Sequence, residues 1–232
     1  MPWHDQTAKG PGPAYGAEPQ EGSGRSGPRY AVRLSLLWLA ALVLSAEPAG
    51  ACAPDVAPAK VQEVADKVFV RQGVHALMTA GNRGGIANIG FVIGTQAVAV
   101  IDTGGSFCDG AALRAAIRAR TDLPIRAVIN THVHPDHVFG NAAFLADKPD
   151  FIGHARLSRA MAARGAHYLN ANRESMGAEA LAGTTIVPPS RTVADRLELD
   201  LGGRKLVIRA HATAHTDNDL TILDVMTGTL WT

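Results

Sequence analysis

With 232 residues and 47% hydrophobic content, the chain is long enough for one large domain or two small ones around a packed core. Its 22 basic and 21 acidic residues leave a formal net charge of +1, which excludes the strongly basic surface that a nucleic-acid partner requires. Two cysteines are too few for a stabilising disulfide framework, and nine histidines invite a search for a metal site.

Residues 1–33 are rich in Gly, Pro, Ser and charge and lack apolar periodicity, so a disordered extension is expected there. Arg29 and Arg33 then precede the apolar run Leu34–Leu44, and Ser45 to Ala53 is small-residue rich. A basic flank, a short apolar core and an Ala-x-Ala end read as a secretory signal peptide over 34–53. The run is shorter than the roughly 20 apolar residues that span a bilayer as a permanent helix. Export to the periplasm or outside follows, with the membrane met only through the signal peptide. Its distance from Met1 implies that the true start codon lies downstream. Ala49-Gly-Ala-Cys52 only faintly resembles a lipoprotein box, because Ala49 stands where a large aliphatic residue belongs. Cleavage near Cys52 leaves Cys108 as an unremarkable loop thiol.

From Lys60, β-branched runs punctuated by glycine predict strands at 68–70, 87–93 and 97–101, the last two joined by the turn Gly94-Thr-Gln96. Residues 111–120 carry the spacing of an amphipathic helix, and 125–130 is the next strand. Helical stretches are expected at 138–145 and 155–166, then a polar irregular region from 170 to 183. Strands return at 196–201 and 205–209 around Gly202-Gly203, with a second hairpin over 220–224 and 229–231. The pattern predicts a single α/β domain over 60–232.

The chemistry concentrates at Thr131-His-Val-His-Pro-Asp-His137. It follows a strand, so His132 and His134, two apart, point the same way and converge on one cation. Pro135 fixes a turn, and Asp136 and His137, being adjacent, project differently. That geometry serves two metals, and imidazole with carboxylate suits Zn, and Fe or Mn less exclusively.

The run His132-Val-His134-Pro-Asp136-His137 resembles the His-x-His-x-Asp-His signature of the metallo-β-lactamase superfamily. Gly140-Asn141, Asp102-Thr-Gly104 and Ala214-His-Thr-Asp-Asn-Asp219 follow the same pattern in the same order. The resemblance implies an αβ/βα sandwich, here the N-terminal half plus the start of the second sheet. It implies two zinc ions, the first on His132, His134 and His215 and the second served by Asp136 and His137. Asp136 would orient the attacking hydroxide, and Asp102 would support the ligand loop. His211 rivals His215, but the His-Thr-Asp-Asn context favours His215; His154 and His167 are expected to do nothing chemical. Relatives continue past Thr232 with a bridging Gly-Asp and a later His, so the domain is expected to be incomplete at its C-terminus and to expose much of its inner apolar face.

The implied activity is hydrolysis of an ester, thioester or amide-type bond in a small-molecule substrate. Gly153-His-Ala-Arg156, Tyr168-Leu-Asn170 and the run after Ala214 look most like zinc metallohydrolases associated with quinoprotein relay and sulfur-oxidation gene clusters. Thioester hydrolases resembling glyoxalase II and true β-lactamases are neighbours of that reading. An iron-dependent persulfide dioxygenase on the same fold and a non-catalytic exported metal-binding accessory are the alternatives from other classes.

Overall fold

A computed structural model describes Cys52 and residues 56–232. The predicted extension and, Cys52 apart, the signal-peptide segment lie outside the described residues.

Seven strands form one sheet in the order of the chain: β1 (Gln62–Ala65), β2 (Val68–Arg71), β3 (Ile89–Ile93), β4 (Val98–Ile101), β5 (Ile125–Ile129), β6 (Asp150–His154) and β7 (Arg191–Val193). Pairing is antiparallel from β1 to β4 and parallel from β4 to β7. A second, antiparallel sheet holds β8 (Arg196–Asp200), β9 (Lys205–Ala210), β10 (Leu220–Asp224) and β11 (Leu230–Trp231), ordered β11-β10-β9-β8. β4 and β5 are buried at nearly every position, as strands covered on both faces must be.

One face of the larger sheet packs Val92, Ile101, Ile129 and Ile152 against Leu206, Ile208 and Ile222 of the smaller. The inner apolar face is thus buried between two sheets and not exposed as the sequence reading expected. The opposite face, with Phe91, Val100 and Val128, is covered by Leu113 and Ile117 of α1 (Phe107–Arg118). At one end Arg204 joins the sheets: its guanidinium pairs with Asp224 at 2.6 Å and donates to the carbonyls of Ile93 and Asp66, with both charged side chains buried.

α1 starts four residues before the predicted helix, because Ser106 accepts a hydrogen bond from the Asp109 N–H and caps it. Gly110 hides that start in the sequence, since glycine reads as a helix breaker. Its reason is a close approach: a Cβ there would collide with the backbone of Gly140, just past the metal-type cluster. The short α2 (Pro135–Val138) and a 3-10 helix (Asn141–Asp147) follow, and α3 (Leu157–Met176) extends over the first half of the segment expected to be irregular, ending at Gly177 with φ of 86°, after which 177–183 is irregular as expected. β1, β6 and β7 carry too little pattern of their own and exist through pairing with their neighbours.

The cysteines correct the sequence reading. Cys52 and Cys108 form a disulfide with Cα atoms 5.4 Å apart, so Cys108 is not a free loop thiol. Spacing alone does not predict pairing, and discounting Cys52 as a cleavage-site residue removed the only partner.

Candidate metal centre

The site gathers where β4 and β5 end. After β4 the chain turns sharply at Asp102, whose φ of 54° is rare outside glycine and marks a conformation held by its surroundings. Those surroundings are visible. The Asp102 carboxylate accepts from the Thr131 N–H at 2.8 Å, from the Thr131 hydroxyl at 2.7 Å, and from His137 Nδ1 at 2.7 Å. One buried carboxylate therefore fixes the loop after β5 and the ring of His137 together.

Thr131 also sets a tautomer. Its hydroxyl has one proton and donates it to Asp102, so the contact of 2.9 Å to His132 must be donated by His132 Nδ1. His132 Nε2 then carries a lone pair. It lies 3.1 Å from His134 Nδ1, which lies 3.1 Å from His215 Nε2. The three ligand-type nitrogens fall within 4.8 Å of one another. Zn–N bonds of about 2.0–2.1 Å in a tetrahedron place ligand nitrogens about 3.3 Å apart, so this donor set fits a tetrahedral divalent ion.

Electrostatics favours the same state. Burial, then charge on His137, lowers the pKa of His132 to about 4, which keeps a neutral lone-pair donor. Burial, then His215, lowers that of His134 as well. Burial opposes charge on His137 too, but the carboxylates of Asp102 and Asp136 outweigh it and raise its pKa to about 10. Burial would raise the Asp136 pKa; the hydrogen bond and charge of His137 bring it below the usual value. His137 Nε2 faces Asp136 Oδ2 at 3.4 Å, and the rings of His132 and His137 lie 4.1 Å apart. Asp136 and His137 therefore lie beside the trio on α2 as an ion pair, and a metal taking His137 Nε2 would have to displace the proton that Asp102 and Asp136 hold on that ring.

His211 is excluded from the trio: its Nε2 bonds the Thr221 hydroxyl at 2.8 Å. It shares with His132, His215 and Asp219 a cleft of about 410 Å³. His154 is buried, and its Nδ1 accepts from the Arg156 N–H at 2.9 Å, a structural use. His167 is exposed on α3. Sequence reasoning assigned no part to Thr131, although a hydroxyl between a strand and the histidines was the available signal. It also assigned none to Asn130 and Asn141, whose buried amides bond each other at 2.8 and 3.1 Å beneath the loop. Asn130 further donates to the carbonyl of His137 at 3.3 Å, and the Thr103 N–H donates to that carbonyl at 2.9 Å.

Among families, the model described as the metallo-beta-lactamase superfamily matches residues 82–232. Among curated proteins, a linear primary-alkylsulfatase of Pseudomonas sp. (strain ATCC 19151) is 34% identical over 62 residues, 27% of this chain but only 12% of that protein's length. Among solved structures, a metallo-beta-lactamase from Pontibacter korlensis aligns with a TM-score of 0.54 at 16% identity, covering 72% of this chain and 67% of the other. One from Hirschia baltica aligns with a TM-score of 0.53 at 16% identity, covering 75% and 69%. At such identities these structures share the fold.

Proposed function

Since the chain belongs to the metallo-beta-lactamase superfamily, we propose that it is an exported zinc-dependent hydrolase of a small-molecule ester, thioester or amide-type bond. The observation that carries this is the cluster of nitrogens on His132, His134 and His215, with His134 Nδ1 3.1 Å from both His132 Nε2 and His215 Nε2 and all three within 4.8 Å of one another.

In this reading His132, His134 and His215 hold one ion, and Asp136 with His137 serves a second. Zinc bound there supplies Lewis acidity toward a carbonyl or similar oxygen and makes hydroxide available near neutral pH. The chain's own residues do the rest. Asp102 and Thr131 fix ring orientation and tautomer, which supports ligand basicity. Asp136, kept ionised beside His137, accepts a hydrogen bond from the attacking water or hydroxide and so orients it. The cleft beside His132 and His215 receives the substrate.

Export rests on the predicted signal peptide, with cleavage after Ala49-Gly-Ala51 so that Cys52 is retained, and the Cys52–Cys108 pair supports it, because structural disulfides persist in oxidising compartments. The pair also argues against a lipid anchor, since an acylated, thioether-linked Cys52 has no sulfur free to join Cys108. Within the superfamily we place the chain among metallohydrolases of quinoprotein relay or sulfur-oxidation systems, on its Gly153–Arg156 and Tyr168–Asn170 segments. The alkylsulfatase relative favours a second reading, a sulfate ester as the bond cleaved.

Metal analysis of protein purified without added metal, followed by zinc and iron reconstitution, tests the proposal. The substrates are aryl esters, a thioester, a β-lactam and a primary alkyl sulfate. Zinc-dependent turnover that Asp136→Ala abolishes is the expected result. Iron content with oxygen consumption on a persulfide, or turnover indifferent to Asp136→Ala, overturns it.

A further inference from the structure

The trio accounts for metal binding but not for substrate choice, and α3 supplies a candidate. Arg164 and Tyr168, four residues apart, share one face of this helix. The same side of the helix is anchored: Ala160 and Met161 are buried with Val133, the residue between His132 and His134, and Tyr168 packs on that cluster, while Arg164 projects from it toward solvent. The helix is thereby fastened to the ligand loop itself. The Tyr168 ring lies 6.3 Å from that of His134, and among the described residues no hydrogen bond engages its phenol.

Arg164 reaches across to the other ligand loop. Its guanidinium lies 3.4 Å from Asp217 Oδ1, and Arg156, just before α3, donates to the Asp217 carbonyl at 3.4 Å. Asp217 is two residues past His215, so both cations converge beside the trio. Each contact is long against the roughly 2.7–2.9 Å of a charge-assisted bond and uses one of five donors. With the Arg164 and Asp217 side chains 44% and 43% exposed, the pair is of the weak surface kind, and an incoming anion competes for the guanidinium.

We propose that Arg164 and Tyr168, assisted by Arg156, form a recognition wall for an oxyanionic group, a carboxylate or sulfonate, that the substrate carries beside its scissile bond. This rests on the hydrolase reading above and names its substrate class. The guanidinium fork engages two oxygens of such a group, and the Tyr168 phenol donates to it.

Three 4-nitrophenyl esters test this with zinc-loaded protein: the hemisuccinate, the 3-sulfopropanoate and the neutral butyrate. The wall predicts that kcat/KM for the anionic esters exceeds that for butyrate by about tenfold or more, as expected for one bidentate charge-assisted contact. Arg164→Gln should bring that ratio close to one through KM, Tyr168→Phe should lower it less, and Arg164→Lys should restore part of it, all at unchanged zinc content. The relative rates of the carboxylate and sulfonate arms tell which anion the wall prefers. A ratio that Arg164→Gln leaves within about twofold of wild type overturns the proposal. If the wild type cleaves none of the esters, the hydrolase reading has failed on this class. Calorimetric binding of succinate and 3-sulfopropanoate to zinc-loaded wild type and Arg164→Gln then decides the wall alone, and equal affinities overturn it.

Discussion

The two loops that meet at the trio are held in different ways. On the larger sheet, His132 and His137 are gripped by Thr131 and Asp102, lie over the Asn130–Asn141 amide pair, and are largely shielded from solvent. On the smaller sheet, His215 is exposed, in a loop shaped by its own short-range bonds, Thr216 to Asp219 and Asn218 to Thr216. One backbone bond joins them near the site, from the Leu220 N–H to the Thr131 carbonyl at 2.8 Å. The difference teaches that the larger sheet presents preorganised donors, while the third nitrogen depends on how the sheets dock. An exposed histidine on a separate element can follow the ion, whereas His132 and His134, on one loop of the larger sheet, define where the ion sits.

The largest expected effect tests the docking. Arg204→Ala leaves Asp224 as a buried, unpaired charge at the far end of β9 and should cost about 3–5 kcal/mol in denaturant unfolding. A cost under about 1 kcal/mol would mean that the sheets do not need this clamp.

Next is the layer beneath the anchored loop. Asp109, paired with Arg71 and accepting from the Gly105 N–H, has its pKa raised from 3.8 to about 6 by burial, against the pull of Arg71. The folded pKa lies above the unfolded one, so folding takes up a proton between those values. This group's contribution is most favourable below about pH 4 and declines as pH rises to about 6, by at most roughly 3 kcal/mol. Asp109→Asn should flatten that stretch of the stability profile; an unaltered slope would show that another group causes it.

A smaller effect separates the loops directly. Asp102→Ala removes the acceptor of Thr131 and His137 and should weaken zinc binding by about 10–100-fold. His211→Ala, on the loose side and outside the trio, should leave zinc affinity within about twofold. Equal losses in the two variants would erase the contrast.

How much of this was legible follows the same division. The central strands β3, β4 and β5 and both hairpins of the smaller sheet were readable from β-branched runs and paired glycines. His132, His134, Asp136 and His137 were readable because a strand end places them together within six residues. His215 was readable only by its local sequence context, since its approach to His134 spans 81 positions. β6, β7 and the second half of α3 are set by tertiary pairing and packing, which local propensity does not encode. The Cys52–Cys108 pair and the Thr131 tautomer depend on distances that no spacing rule supplies.

Zinc K-edge absorption on protein loaded with one equivalent of zinc tests the central claim most directly, with His215→Ala measured alongside. Three imidazole nitrogens at about 2.0–2.1 Å in the parent are predicted, falling to two in His215→Ala while the metal-free melting temperature stays unchanged. A parent spectrum dominated by carboxylate oxygens or thiolate sulfur, or one that His215→Ala leaves unaltered, would contradict it.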